Sequence, residues 1–173
     1  MNKPKKTLYV MIGAPGSGKS TWVQKHMGSF EGKVSWVSRD KIRFAITRED
    51  EDYFAHENEV YDEFIRQIKD DLKIYDVVIA DATHITVGSR LKLFKALGNS
   101  LKDVKVIAMV IKADFETIKK QNDMREGRSR VPLSSLRRMY SCFMMPFLDE
   151  EPFDEIWIYE GYKYTILSNE DGD

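Results

Sequence analysis

Near the start of the chain, Gly13-Ala14-Pro15-Gly16-Ser17-Gly18-Lys19-Ser20 fits the pattern G-x-x-x-x-G-K-[ST]. Each residue type in it has a chemical reason. Gly13, Gly16 and Gly18 let the backbone turn and bring several N–H groups close to phosphate oxygens, with Ala14, Ser17 and Thr21 in the same candidate cradle. A helix starting at the end of the loop adds positive potential at its N-terminus. Lys19 supplies a mobile point charge for β- and γ-phosphates, and the Ser20 hydroxyl is a hard oxygen ligand suited to Mg²⁺. The setting agrees, because the apolar segment Leu8–Ile12 leads into the loop and the helical segment Ser20–Met27 leaves it. The expectation is an ATP or GTP site. The plain alternative is a glycine-rich turn with a surface lysine.

What the nucleotide would be used for depends on other residues. Asp81 ends an apolar strand segment and fits a second, metal-associated carboxylate, or a strand-end acid that caps the following turn. Ala82 follows it where motor ATPases place a water-activating acid, and the chain has no Asn-Lys-x-Asp segment for reading guanine. Transfer to an acceptor is therefore expected over hydrolysis. In Ser38-Arg39-Asp40-Lys41-Ile42-Arg43, Asp40 and Arg43 share a face if a helix opens there. A carboxylate beside the phosphate loop can accept a hydroxyl proton, and a guanidinium can hold a phosphate or hydroxyl of the acceptor. The same spacing also fits an N-cap and a solvated charge. Arg125, Arg128 and Arg130 fall within six residues around Gly127, as in a mobile flap that neutralises charge developing on a transferring phosphoryl group. A solvated basic loop would have the same composition. His84 follows Asp81 closely enough to line a site, whereas His26 and His56 read as surface residues.

These groups need a scaffold. Short β-branched segments at Thr7–Ile12, Val34–Ser38, Asp76–Asp81, Val104–Lys112 and Glu155–Tyr159 read as strands buried on both faces. Between them, Tyr61, Phe64, Ile65, Ile68 and Leu72 draw one stripe on a helix of about 20 residues. Leu91, Phe94 and Leu97 mark a second helix capped by Thr86, and Asp114 caps a third. Pro132 suits the first turn of a helix carrying Leu133, Leu136, Tyr140 and Phe143. Met144, Met145, Phe147 and Phe153 read as core filling. The alternation predicts an α/β fold: a doubly wound parallel sheet of about five strands flanked by helices, with ligands at the carboxyl ends of the strands. One domain over residues 1–168 is expected, with an arginine-rich lid at about 122–132 and a disordered acidic tail at 169–173.

The 173 residues include 42% hydrophobic and 12% aromatic side chains, enough for a packed core and incompatible with wholesale disorder. No apolar run approaches the roughly 18 residues that span a bilayer, and the short apolar stretch near the N-terminus lacks a small-residue cleavage site, so a cytoplasmic protein without membrane contact is expected. Cys142 is the sole cysteine, which excludes an internal disulfide and a cysteine metal cluster. Net charge is −1, unlike a protein that coats long duplexes, although a local basic site is compatible with it.

Four blocks occur in a fixed order: GAPGSGKST, SRDKIR, DATHIT followed by Arg90, and NDMREGRSRVP with the helix LSSLRRMY. Together they resemble the P-loop kinase family that contains the 5′-hydroxyl polynucleotide kinases, including the kinase module of phage and bacterial end-healing enzymes, over roughly residues 7–160. The resemblance implies an ATP- and Mg²⁺-dependent phosphotransferase acting on the 5′-hydroxyl end of DNA or RNA in nucleic-acid repair. It implies Asp40 as general base, Arg43 on the acceptor's neighbouring phosphate, and Lys19 and Ser20 on the ATP phosphates and Mg²⁺. Arg125 and Arg128 would clamp the ATP phosphates, with Arg130 a near-equivalent of Arg128, and Asp81 would lie near the metal or the acceptor. His84 departs from the asparagine that relatives often carry, and no D-x-D-G-T segment is present, so a 3′-phosphatase half is not expected. Two other functions fit the same residues. One is a kinase of a nucleoside, sugar or antibiotic hydroxyl; the other is a nucleotide-binding regulatory module with little turnover. The lack of an Asp-Gly-Phe-Pro-Arg-like segment speaks against the adenylate kinase branch of the former.

Overall fold

The computed structural model describes residues 5–169, so the end of the expected acidic tail lies outside the described residues. Its frame is one six-stranded sheet in the order β2-β3-β1-β4-β5-β6. The strands are β1 (Lys6–Ile12), β2 (Val34–Ser38), β3 (Val77–Asp81), β4 (Val104–Lys112), β5 (Glu155–Glu160) and β6 (Lys163–Ser168). The first five run parallel, and the burial of the central β1, β3 and β4 follows from helices lying on both sheet faces. The sixth strand is an addition to the expected five. It pairs antiparallel with β5 across the two-residue turn Gly161-Tyr162, both at positive φ (55° and 70°), the backbone form a tight hairpin requires.

The helices are α1 (Lys19–His26), α2 (Arg39–Ile46), α3 (Glu57–Ile74), α4 (Val87–Leu97), α5 (Phe115–Asp123) and α6 (Leu133–Ser141). The expected α3 stripe is present: Phe64, Ile65, Ile68 and Leu72 are buried against Leu8, Val10, Val78 and Ala80. Each such side chain contributes about 1.5–3 kcal/mol when removed from water. On the other face α1 packs Trp22 and Val23 onto Met11, Ile79 and Met109. Thr86 caps α4 in a reciprocal bond pair with Ser89, and Asp114 caps α5 through the Thr117 amide at 2.8 Å.

Three expectations need correction. The buried stripe of α4 runs through Arg90, Leu93 and Leu97, and Leu91 faces water, because Arg90 takes an interior position with partners of its own. On α6 only Leu136 is buried; Leu133 and Tyr140 are exposed, and Pro132 is the cap residue before the helix. Phe153 and Met145 join the core, but Met144 and Phe147 are exposed.

Candidate active site

The phosphate loop connects β1 to α1 at the carboxyl end of the sheet. Gly16 and Gly18 adopt φ of 81° and 102°, where a side chain is strained. A Cβ at Gly13 would sit 2.6 Å from Ser17 Oγ and 2.9 Å from the Ile111 carbonyl oxygen. With Gly18 as N-cap, no side chain caps α1, so its first N–H groups are free to meet an anion. Lys19 is buried, and its ammonium donates to the carbonyls of Gly13 (2.9 Å) and Ala14 (3.0 Å). Burial pushes its pKa down, against the opposing pull of Asp81 and Asp40.

Asp81, at the end of β3, accepts from Trp36 Nε1 at 3.0 Å and from the Ser20 hydroxyl at 3.4 Å. Burial raises its pKa, while the charge of Lys19 and these two hydrogen bonds act the other way. Ser20 and Asp81 thus offer two hard oxygens next to an uncapped helix N-terminus. Among the described residues there is no cluster of three or more His, Cys, Asp or Glu fit to hold a metal. The donor set fits Mg²⁺, which keeps several waters and takes the remaining oxygens from phosphates.

Across the cavity, Ser38 caps α2 by accepting from the Lys41 amide at 3.3 Å, so Asp40 is not the cap. The Asp40 side chain is 61% exposed and accepts from Arg43 Nη1 at 2.5 Å and from the Tyr53 hydroxyl at 3.4 Å. Arg43 is buried rather than solvated. It donates through Nε and Nη2 to the two Glu57 oxygens at 2.5 and 3.0 Å. Burial alone would lower its pKa, but Glu57, Tyr53 and Asp40 raise it overall, so the guanidinium stays charged. Glu57, Tyr53 and Phe54 carry no motif and went unread in the sequence; acidic residues opening α3 were the only signal available.

The lid is a short segment between α5 and α6 with a single 3₁₀ turn at Gly127–Ser129. Its arginines separate. Arg125 lines the cavity and contacts the Ser129 carbonyl at 3.4 Å. Arg128 reaches over to the end of α2, donating to the Arg48 carbonyl at 2.6 Å with its guanidinium 5.5 Å from the Phe44 ring centre. Arg130 pairs with Asp123 at 3.0 Å on the surface. His84 does not line the site either. It is buried at φ 45°, its Nδ1 is 2.8 Å from the Met11 carbonyl, and burial lowers its pKa to about 4. His26 and His56 are half-buried, stacked on Trp22 and paired with Glu51 respectively.

The cavity measures about 440 Å³, and Gly16, Gly18, Lys19, Ser20, Thr21, Asp40, Arg43, Asp81 and Arg125 all face it. A phosphate loop at the end of a central parallel strand, facing a charged second wall, defines a nucleotide-binding P-loop domain of the kinase-like type. The sequence agrees on the family: the AAA domain model AAA_33 matches residues 8–146, and the chain belongs to that family. No curated protein sequence matches it.

Among solved structures, Kti12 from Chaetomium thermophilum in complex with ADP-AlF3 is similar at 16% identity and TM-score 0.64, covering 96% of this chain and 91% of that one. A chain of the Pnkp1/Rnl/Hen1 RNA repair complex is similar at 22% identity and TM-score 0.64. The match covers 82% of this chain but 45% of that one, so this chain spans less than half of its length. A sugar kinase from Janibacter sp. HTCC2649 is similar at 16% identity and TM-score 0.55, covering 90% and 85%. At these identities the likeness shows the fold. Among the described residues, no helix is long and apolar enough to cross a membrane.

Proposed function

We propose that the protein is an ATP- and Mg²⁺-dependent kinase that phosphorylates the 5′-hydroxyl end of DNA or RNA. The observation that carries this reading is the exposed Asp40 carboxylate on the same cavity as Lys19, Ser20, Asp81 and Arg125. A hydroxyl seated between Asp40 and the outer phosphate attacks phosphorus, its proton passes to Asp40, and the bond to the leaving ADP oxygen breaks. Lys19 and Arg125 face the charge that grows on the phosphoryl oxygens. Ser20 and Asp81 would hold Mg²⁺, which would supply charge neutralisation at the phosphates. The chain of the RNA repair complex has the same fold and supports the choice of acceptor.

One observation favours a second reading. Arg43, expected on the acceptor's neighbouring phosphate, is committed to Asp40 and Glu57. An acceptor without that phosphate, such as a nucleoside, fits an occupied arginine. Transfer of labelled γ-phosphate to 5′-hydroxyl oligonucleotides, in competition with nucleosides and sugars, decides between them. Labelled 5′ ends with weak competition support the polynucleotide reading; label only on the small molecules, or none at all, overturns it.

A further inference from the structure

The wall next to Asp40 carries an aromatic surface that phosphoryl transfer does not use. The segment joining α2 to α3 contains Tyr53 and Phe54, and both line the cavity. Their rings pack edge to face at 4.9 Å, and Tyr53 packs the same way on Phe44 at 5.5 Å. Phe54 is 50% exposed and Phe44 is 45% exposed. Leaving such rings in water runs against the hydrophobic effect unless a partner covers them.

The segment is built to hold them. The Phe54 amide donates to Asp52 Oδ1 at 2.9 Å, Arg48 pairs with Asp50 at 3.1 Å, and Glu51 bonds His56. From below, the Arg43 guanidinium lies 5.0 Å from the Tyr53 ring centre and 5.3 Å from that of Phe54, while its Nη1 reaches Asp40. One buried arginine therefore ties the candidate base to the ring pair.

We propose that Phe54, backed by Tyr53 and Phe44, is the surface on which the terminal base of the acceptor stacks, so that the enzyme selects ends whose terminal base has a free face. This rests on the polynucleotide reading above. A sugar needs converging hydrogen-bond groups, and here Arg43, Arg39 and Glu57 already bond one another or Asp40. A base needs only a flat apolar face, and stacking is worth about 1–3 kcal/mol per base. A base at a nick is stacked on both faces, so 5′ ends held inside a duplex lose this contact.

The test compares two single-stranded 5′-hydroxyl oligonucleotides that differ only in whether the terminal nucleotide carries a base. The native enzyme should prefer the base-bearing end by roughly ten- to a hundredfold in kcat/KM. Phe54→Ala should lose that factor on the base-bearing end, show no further loss on the abasic end and keep its KM for ATP. Phe54→Trp should retain the discrimination. A change that only damaged packing would weaken both ends equally. Discrimination that survives in Phe54→Ala, or a native enzyme indifferent to the base, overturns the stacking surface while leaving the kinase reading intact. If the native enzyme labels no 5′ end, both fall together.

Discussion

The two walls of the cavity are built by different means. The donor wall is made largely of backbone. Glycines at φ values closed to other residues, an uncapped helix start and a lysine on loop carbonyls all come from one short stretch of chain. The acceptor wall is made of side chains drawn from α2, the following loop and α3, held by the Asp40–Arg43–Glu57 ion pairs. Anions of one kind can be met by a fixed backbone cradle. Acceptors differ in shape, and a wall made of side chains is the one that can vary without disturbing the cradle.

The strongest way to separate the walls is Asp40→Asn. It removes the proposed proton acceptor and leaves the phosphate-loop wall whole, so kcat should fall by about 10²–10⁴ while ATP affinity stays within a few-fold. Single-turnover transfer and equilibrium nucleotide binding check the two halves of that statement. Near-normal turnover would take Asp40 out of the chemistry.

The next effect is on stability. Behind the donor wall, Arg90 and Glu151 form a fully buried pair, and Arg90 Nη1 donates to the His84 carbonyl at 2.8 Å. The neighbouring Thr83 carbonyl accepts the Gly13 amide at 2.9 Å, so this pair is tied to the phosphate loop. Arg90→Ala leaves a buried carboxylate unpaired and should cost about 3–5 kcal/mol in denaturant unfolding, whereas Arg90→Met with Glu151→Leu should recover most of it. Similar losses in the two variants would mean that the pair's own hydrogen bonds, among them that to the His84 carbonyl, hold the turn rather than packing volume.

A smaller effect sorts the lid. Arg125→Ala should reduce kcat by on the order of 10²-fold, because Arg125 lines the same cavity as Lys19 and is proposed to face the transferring phosphoryl group. Arg128→Ala should act chiefly on KM, because that side chain latches the lid to the end of α2. Arg130→Ala, an exposed pair with Asp123, should change either constant by about twofold or less. Equal losses for Arg125 and Arg128 would put both on the phosphates.

The same contrast explains what the sequence could be read for. The phosphate loop was legible because its whole chemistry is local, and β1, β3 and β4 because strands covered on both faces read as largely apolar runs. Lys163–Ser168 was not, since β6 lies at an edge with nearly all its residues exposed and has no face to pattern. Asp40 and Arg43 could be paired from spacing, but Glu57 enters only because α3 folds back onto α2. Arg90 stood out only as part of the family pattern, with no sign of its burial, and its partner lies 61 residues further on. Three arginines close together in sequence could not be sorted by role, because each finds a different partner only once the lid is folded.

The finest distinction concerns His84, whose pKa is pulled from 6.5 to about 4 by burial and by the charges of Arg39, Lys19 and Arg90, with the Met11 carbonyl opposing them. Its folded-state pKa is depressed, so between these values the unfolded chain binds more protons and stability rises with pH. The contribution is complete above about pH 6.5 and is lost as pH falls towards about 4, for a total near 3 kcal/mol. Asparagine tolerates the φ of 45° at this position and carries an amide donor that could reach the same carbonyl. His84→Asn should therefore stay within about 1 kcal/mol of the native protein at pH 7.5 and become relatively more stable as pH drops. Because all other titrations are shared, the difference between the two unfolding curves isolates this one imidazole. A difference that is flat from pH 7 to 4 would mean that folded and unfolded chains protonate this imidazole together, so that the ring would gain a positive charge beneath the loop as pH falls below about 6.5.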